Sequence, residues 1–203
     1  MVFIDGENLC IRCQEMLRNS GFEPIDGAYY IRDAFIWWFY NQNIDFPHDP
    51  LLACNISNHR GGYESINVIR AAYYTSMCGD DLKLEQLKER IWEIKMQPVV
   101  FKKTRKDGKA KGVDIALTKD MLVQAFFDNY DIAVLVAGDG DYVPVVEEVK
   151  RQGKRVVLQF LTAAYGLNPR LKLACDDYSD ITATFQNCWS KAGSPLSTDE
   201  KKR

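Results

Sequence analysis

Histidine is nearly absent from this chain: His48 and His59 are the two in 203 residues, and both lie in polar segments punctuated by Pro and Gly. Six cysteines include one C-x-x-C, Cys10 and Cys13, without a second pair or a suitably spaced histidine. A structural zinc site needs four such ligands, so none is indicated. Cys10, Cys13, Cys54, Cys78 and Cys175 read instead as small core hydrophobes, and Cys188 near the tail is given no role. No apolar run approaches the roughly 20 residues of a membrane helix. Nor does a basic region precede an apolar core at the start, as a secretory signal would require. The expectation is a cytoplasmic protein without membrane contact, its thiols reduced. There is no internal repeat, and no excess of one charge: the formal net charge of −2 excludes a globally cationic nucleic-acid coat and leaves local patches open.

What the chain does have is apolar runs that end in acid. With 46% hydrophobic residues it can bury one substantial core, expected over residues 1–189 with a flexible tail at 190–203. Ile132-Ala133-Val134-Leu135-Val136-Ala137 runs into Gly138-Asp139-Gly140-Asp141-Tyr142. An apolar, β-branched run of this length closed by Gly reads as a buried strand, most often of a parallel sheet. The start repeats the device: Val2-Phe3-Ile4 leads straight into Asp5, then Gly6, Glu7 and Asn8. In open α/β sheets ligands bind beyond the carboxyl ends of the strands. Two strand ends delivering acid to one edge suggest a divalent-cation site.

Strand and helix signals alternate along the rest. Helices are predicted over Asn8 to Arg18, Tyr29 to Tyr40, Asp80 to Met96, Val113 to Phe127, Tyr142 to Gln152 and Asn168 to Cys175. Strands are predicted over Ile66 to Thr75, Val99 to Lys102, Ile132 to Ala137 and Arg155 to Leu161, in addition to the first. Asn55 to Ser65 reads as a loop or hairpin tip, and Ile181 to Thr184 as a short closing segment. This alternation implies an α/β fold, a three-layer sandwich around a mostly parallel five-stranded sheet. The helix with Trp37 and Trp38 is crowded with aromatics, which suits core packing or a homodimer interface.

A third acid, Asp114, sits in the first turn of the helix beginning at Val113, where an acid also complements the helix dipole. Before it lies a basic segment: Lys102, Lys103, Arg105, Lys106, Lys109 and Lys111, offset by Asp107 alone. Such a run can be a solvated loop, but this one leads into Asp114 and so overhangs the acidic crevice. Anionic polymer on basic side chains, above a metal held by acids, is what phosphodiester cleavage requires. Asp5 and Asp139 are the ligands expected to be most rigid, because strand ends carry them. Asp114 and Asp141 bind directly or through water, Lys111 grips a phosphate, and Asn8 orients a ligand or water. Glu7 reads more readily as a solvent-facing acid at a helix start. Tyr142, beside the acid pair, is a candidate for stacking single-stranded bases.

Three blocks, Ile4-Asp5-Gly6-Glu7-Asn8, Lys111-Gly112-Val113-Asp114-Ile115-Ala116-Leu117 and Ala137-Gly138-Asp139-Gly140-Asp141-Tyr142, resemble the signature blocks of the NYN family of PIN-like ribonucleases, including LabA-like (DUF88) proteins. Leu171 to Asp180 is similar to that family's closing block. The resemblance implies a PIN-like α/β/α fold with strand order 3-2-1-4-5. It implies an acidic cluster of Asp5, Asp114, Asp139 and Asp141 binding Mg²⁺ or Mn²⁺, with Asn8 as a polar neighbour. Ala137 departs from it, standing where many relatives carry Ser or Thr.

The leading reading is a metal-dependent endoribonuclease acting on single-stranded RNA. The alternative is an RNA-binding or scaffold module of the same fold that cleaves nothing. A phosphomonoesterase fits less well, since no phosphoenzyme motif such as D-x-D-x-T is present.

Overall fold

Val2 and Ile4 are wholly shielded from water, which places the first strand, β1 (Val2–Asp5), in the middle of the molecule. The structure, a computed structural model, describes residues 1–20, 22–24, 29–31, 36–38, 55–57, 63–65, 67–103, 112–183 and 189–191. In chain order β1 is followed by α1 (Gly6–Ser20), β2 (Phe22–Pro24), β3 (Tyr29–Ile31), β4 (Ile36–Trp38), β5 (Asn55–Ser57), β6 (Tyr63–Ser65) and β7 (Ala71–Met77). Then come α2 (Asp81–Glu93), β8 (Gln97–Lys102), α3 (Val113–Phe126), β9 (Ile132–Val136), a 3₁₀ turn (Gly140–Tyr142) and α4 (Val143–Arg151). The described chain closes with β10 (Arg155–Phe160), α5 (Pro169–Ala174), β11 (Asp177–Asp180) and β12 (Trp189–Lys191).

The main sheet is parallel throughout, in the order β11-β10-β9-β1-β7-β8. From β1 the chain builds outward through β7 and β8, then returns to β9 on the other side of β1 and builds outward again. The β1/β9 boundary is therefore the topological switch point, beyond whose strand ends such sheets bind ligands. The expected order of five strands is present, with a sixth, β11, added at the edge. That strand gives no strand signal because Asp177-Tyr178-Ser179-Asp180 lacks the apolar run of a doubly covered strand; it is an edge, and Ser179 and Asp180 are exposed.

Alternation along the strands fixes the layers. Tyr73 and Tyr74 point to opposite faces of the sheet. The Tyr73 hydroxyl meets Cys10 Sγ of α1 at 3.6 Å, whereas the Tyr74 hydroxyl donates to Asp120 of α3 at 2.9 Å. Helices α1 and α3 thus cover opposite faces, completing the three-layer sandwich. Asp5 pairs in register with Tyr74, so its side chain points to the α3 face.

Local signals explain most boundaries. Asp80 caps α2 by accepting from the Lys83 N–H, and Asn168 caps α5 by accepting from the Arg170 N–H. Pro144 sits in the first turn of α4, where its missing N–H costs nothing. Two expectations need correction. The segment predicted as a helix over Tyr29 to Tyr40 contains β3 and β4, paired antiparallel, as aromatic and β-branched residues favour. The predicted strand from Ile66 begins only at Ala71, and residues 67–70 precede it outside the ladder. Ser190 and Lys191, which the expected tail includes, belong to β12, paired with β2; residues 192–203 lie outside the described ones. The Asn55 to Ser65 hairpin is present as β5 paired with β6.

Candidate functional site

Asp5 ends β1 with 3% of its surface exposed, a buried carboxyl at the carboxyl edge of the sheet. Its Oδ1 accepts the Asn8 backbone N–H at 2.9 Å, an interaction that starts α1 one step past the strand. The Asn8 side-chain oxygen in turn accepts the Gly138 N–H at 2.9 Å. Asn8 thereby ties the end of β1 to the turn after β9. Gly138 must be glycine: a Cβ there would run into the Phe160 ring. Ala137 is fully buried in the core.

Tyr142, from the 3₁₀ turn after β9, carries the central contact. Its hydroxyl lies 2.8 Å from Asp5 Oδ2 and 3.2 Å from Asp114 Oδ1. Asp114 itself is exposed on the first turn of α3, behind Gly112, whose φ of +133° favours glycine. One hydroxyl has one proton to donate. Serving two carboxyl groups at once, it is satisfied when one of them is protonated and donates back. The Asp5 carboxyl is the one placed for this. Burial pushes it up to about 7, the Asn8 amide and the Tyr142 hydroxyl pull it down, and the nearby Asp114 and Glu7 charges raise it further. The Tyr142 hydroxyl is held protonated, raised by burial first and then by the two acids. Tyr142 is 1% exposed, which removes it from the expected role of base stacking: its ring is core.

The four aspartates expected in one cluster divide. Asp5 and Asp114 face a common hydroxyl. Asp139 and Asp141 are exposed at the rim, and Asp139 Oδ1 accepts the Asp141 N–H at 3.1 Å, capping its own turn. Among the described residues no three His, Cys, Asp or Glu side chains converge closely enough to encircle an ion. Mg²⁺ ordinarily takes one or two protein carboxylates and fills its shell with water and substrate phosphate. A seat of two hard-oxygen donors at Asp5 and Asp114, completed by water and substrate phosphate, therefore fits Mg²⁺ or Mn²⁺.

Beside Asp5, Glu7 is neither idle nor solvent-facing as a sequence reading suggests. Its carboxylate accepts from the Ser76 hydroxyl at 2.6 Å and from the Lys103 ammonium. The Lys103 side chain is 5% exposed, so this lysine serves a buried ion pair and is not presented to a phosphate. Lys102 is exposed and bonds Asp81 at 2.8 Å. Arg105, Lys106, Lys109 and Lys111 lie outside the described residues. Cys10 and Cys13 are fully buried on α1, and burial raises both thiols, as suits core residues. The closing block is structural: Asp176 accepts the Val156 N–H at 2.7 Å and pairs with Lys150 at 2.9 Å. Reading residues alone does not find the bridging hydroxyl of Tyr142 or the Glu7–Ser76–Lys103 group, whose partners lie far apart in the chain.

No curated protein matches the chain. A crystal structure of a protein of unknown function from Vibrio parahaemolyticus is similar, at 28% identity over 57% of this chain and 70% of that one, with a TM-score of 0.44. The model of the NYN domain matches residues 1–182. With its three signature blocks brought to one edge of a parallel α/β sheet, the chain belongs to the NYN domain family and has that family's PIN-like nuclease fold.

Proposed function

We propose that this protein is a divalent-metal-dependent endoribonuclease that hydrolyses phosphodiester bonds in single-stranded RNA. The observation that carries the reading is the pair Asp5 and Asp114, facing one buried hydroxyl at the switch point of the sheet. A carboxyl as buried as Asp5 is costly unless it binds a cation or performs proton chemistry, so its place at a ligand-binding edge argues for function over packing. Asp5 and Asp114 would hold Mg²⁺ or Mn²⁺, which when bound polarises a phosphoryl oxygen and makes bound water acidic. Asp139 and Asp141 at the rim orient water. Lys102, Arg105, Lys106, Lys109 and Lys111 grip the RNA backbone. A cytoplasmic location belongs to the same reading, and the described residues hold no helix long and apolar enough to cross a membrane.

A second reading, an RNA-binding module that does not cleave, is favoured by one observation: only two of the four aspartates converge. Incubating labelled single-stranded RNA and DNA with Mg²⁺, Mn²⁺ or EDTA separates the two. Cleavage of RNA that EDTA abolishes supports the nuclease. RNA bound but left whole in every metal supports the module.

A further inference from the structure

We infer that Tyr142 is the positioning residue of this site: its buried hydroxyl holds the exposed Asp114 carboxylate against Asp5, so that two acids from distant elements form one cation seat. The inference rests on the metal-dependent reading above. Asp5 has supports of its own, in the end of β1 and the Asn8 N–H. Asp114 does not. It lies on the first turn of α3, whose N-cap is Gly112 and supplies no side-chain bond, and its carboxylate is exposed. The bond that the structure gives that carboxylate comes from Tyr142. The tyrosine ring is 1% exposed, and its turn is fixed by the Asp139 cap and by the Tyr142 N–H bond to the Asp139 carbonyl. A rigid hydroxyl reaching across to an exposed acid sets where that acid waits. Phenylalanine would fill the same volume and leave Asp114 without its guide.

The test measures Mn²⁺ affinity by the electron paramagnetic resonance signal of free Mn²⁺, alongside the kcat and KM for RNA. Partners that orient metal ligands ordinarily govern about 10- to 100-fold in affinity. Tyr142→Phe is expected to weaken Mn²⁺ binding by a factor in that range, and to lower kcat while leaving KM for RNA unchanged. Asp114→Glu keeps the charge but carries the carboxylate one methylene past the hydroxyl. It is expected to lose a similar factor, and being exposed it tests the same idea should Tyr142→Phe fail to fold. In an Asp114→Asn background, adding Tyr142→Phe should change Mn²⁺ affinity by no more than about twofold, because the tyrosine acts through that acid. Wild-type affinity in Tyr142→Phe or in Asp114→Glu overturns the inference, as does a full additional loss in the double variant. If the variants lose Mn²⁺ as expected but wild-type protein leaves RNA whole, the positioning role stands and the nuclease reading falls. Wild-type protein that takes up no Mn²⁺ overturns both.

Discussion

Replacing Asp5 with Asn should stabilise the metal-free protein, and by an amount that depends on pH. The buried Asp5 carboxyl titrates at about 7 in the folded chain, against about 3.9 for an unfolded aspartate. Between those values the folded state binds the proton that the unfolded state has released. Stability from this group is therefore complete below about pH 4 and falls as pH rises through 7. Each unit costs about 1.4 kcal/mol, so between pH 5 and pH 8 wild-type protein should lose up to about 3 kcal/mol through this one group. Asn keeps the acceptor for the Asn8 N–H and offers an amide to Tyr142, which can then donate to Asp114. It does not titrate. For a chain of this size 1 kcal/mol moves Tm by about 2–4 °C, so the Tm of Asp5→Asn relative to wild type should climb by up to about 6–12 °C over that interval. Melting both proteins by circular dichroism in a chelator, at half-unit pH steps, measures the gap, and titrating groups that do not interact with Asp5 cancel in the difference. A gap that stays constant with pH, or that closes toward pH 8, would show that burial does not hold the Asp5 carboxyl protonated.

Three further outcomes follow from neighbouring contacts. Gly138→Ala drives a methyl into the Phe160 ring and should cost about 1–3 kcal/mol in urea unfolding, with no pH dependence. Glu7→Gln removes the carboxylate charge that the buried Lys103 ammonium bonds and should cost about 3 kcal/mol, whereas Lys102→Ala, which removes an exposed pair, should leave the unfolding midpoint where it was. If the basic segment grips RNA, the slope of log affinity against log salt for single strands should fall in magnitude by about 0.7 for each phosphate that is no longer neutralised, so Arg105→Ala with Lys106→Ala should titrate more shallowly than wild type by filter binding. An unchanged slope would move that segment's role away from phosphate.

The parts of this fold that are legible in the chain are those with local causes. Val2-Phe3-Ile4 and Ile132 to Val136 show as strands because doubly covered parallel strands must be apolar on both faces. The acids that end them show because polarity breaks the run. Asp80, Pro144 and Asn168 mark helix starts by capping and ring geometry that act within a turn. What stays hidden depends on distant partners. Tyr142 finds Asp5 137 residues away, and nothing around either announces the other. Lys103 resembles a phosphate ligand because its neighbours are basic, yet the packing of β8 against β7 carries it to Glu7. Short strands are hidden for a different reason. Three residues, as in Tyr29–Ile31 and Ile36–Trp38, are too few to show a period of two, and an apolar stretch without that period looks helical.

In the proposed reaction Asp5 and Asp114 together seat the metal for RNA cleavage. Calorimetric titration of Mn²⁺ into wild type, Asp5→Asn and Asp114→Asn, paired with single-turnover cleavage of one labelled single-stranded RNA, decides whether they do. Asp5, fixed by the strand end, should be needed for both, so Asp5→Asn loses metal binding and cleavage. Asp114→Asn should keep measurable affinity for one metal and lose most turnover, each tenfold drop in rate standing for about 1.4 kcal/mol of transition-state stabilisation. Wild-type affinity and wild-type cleavage in a folded Asp5→Asn protein would show that Asp5 does not seat the metal.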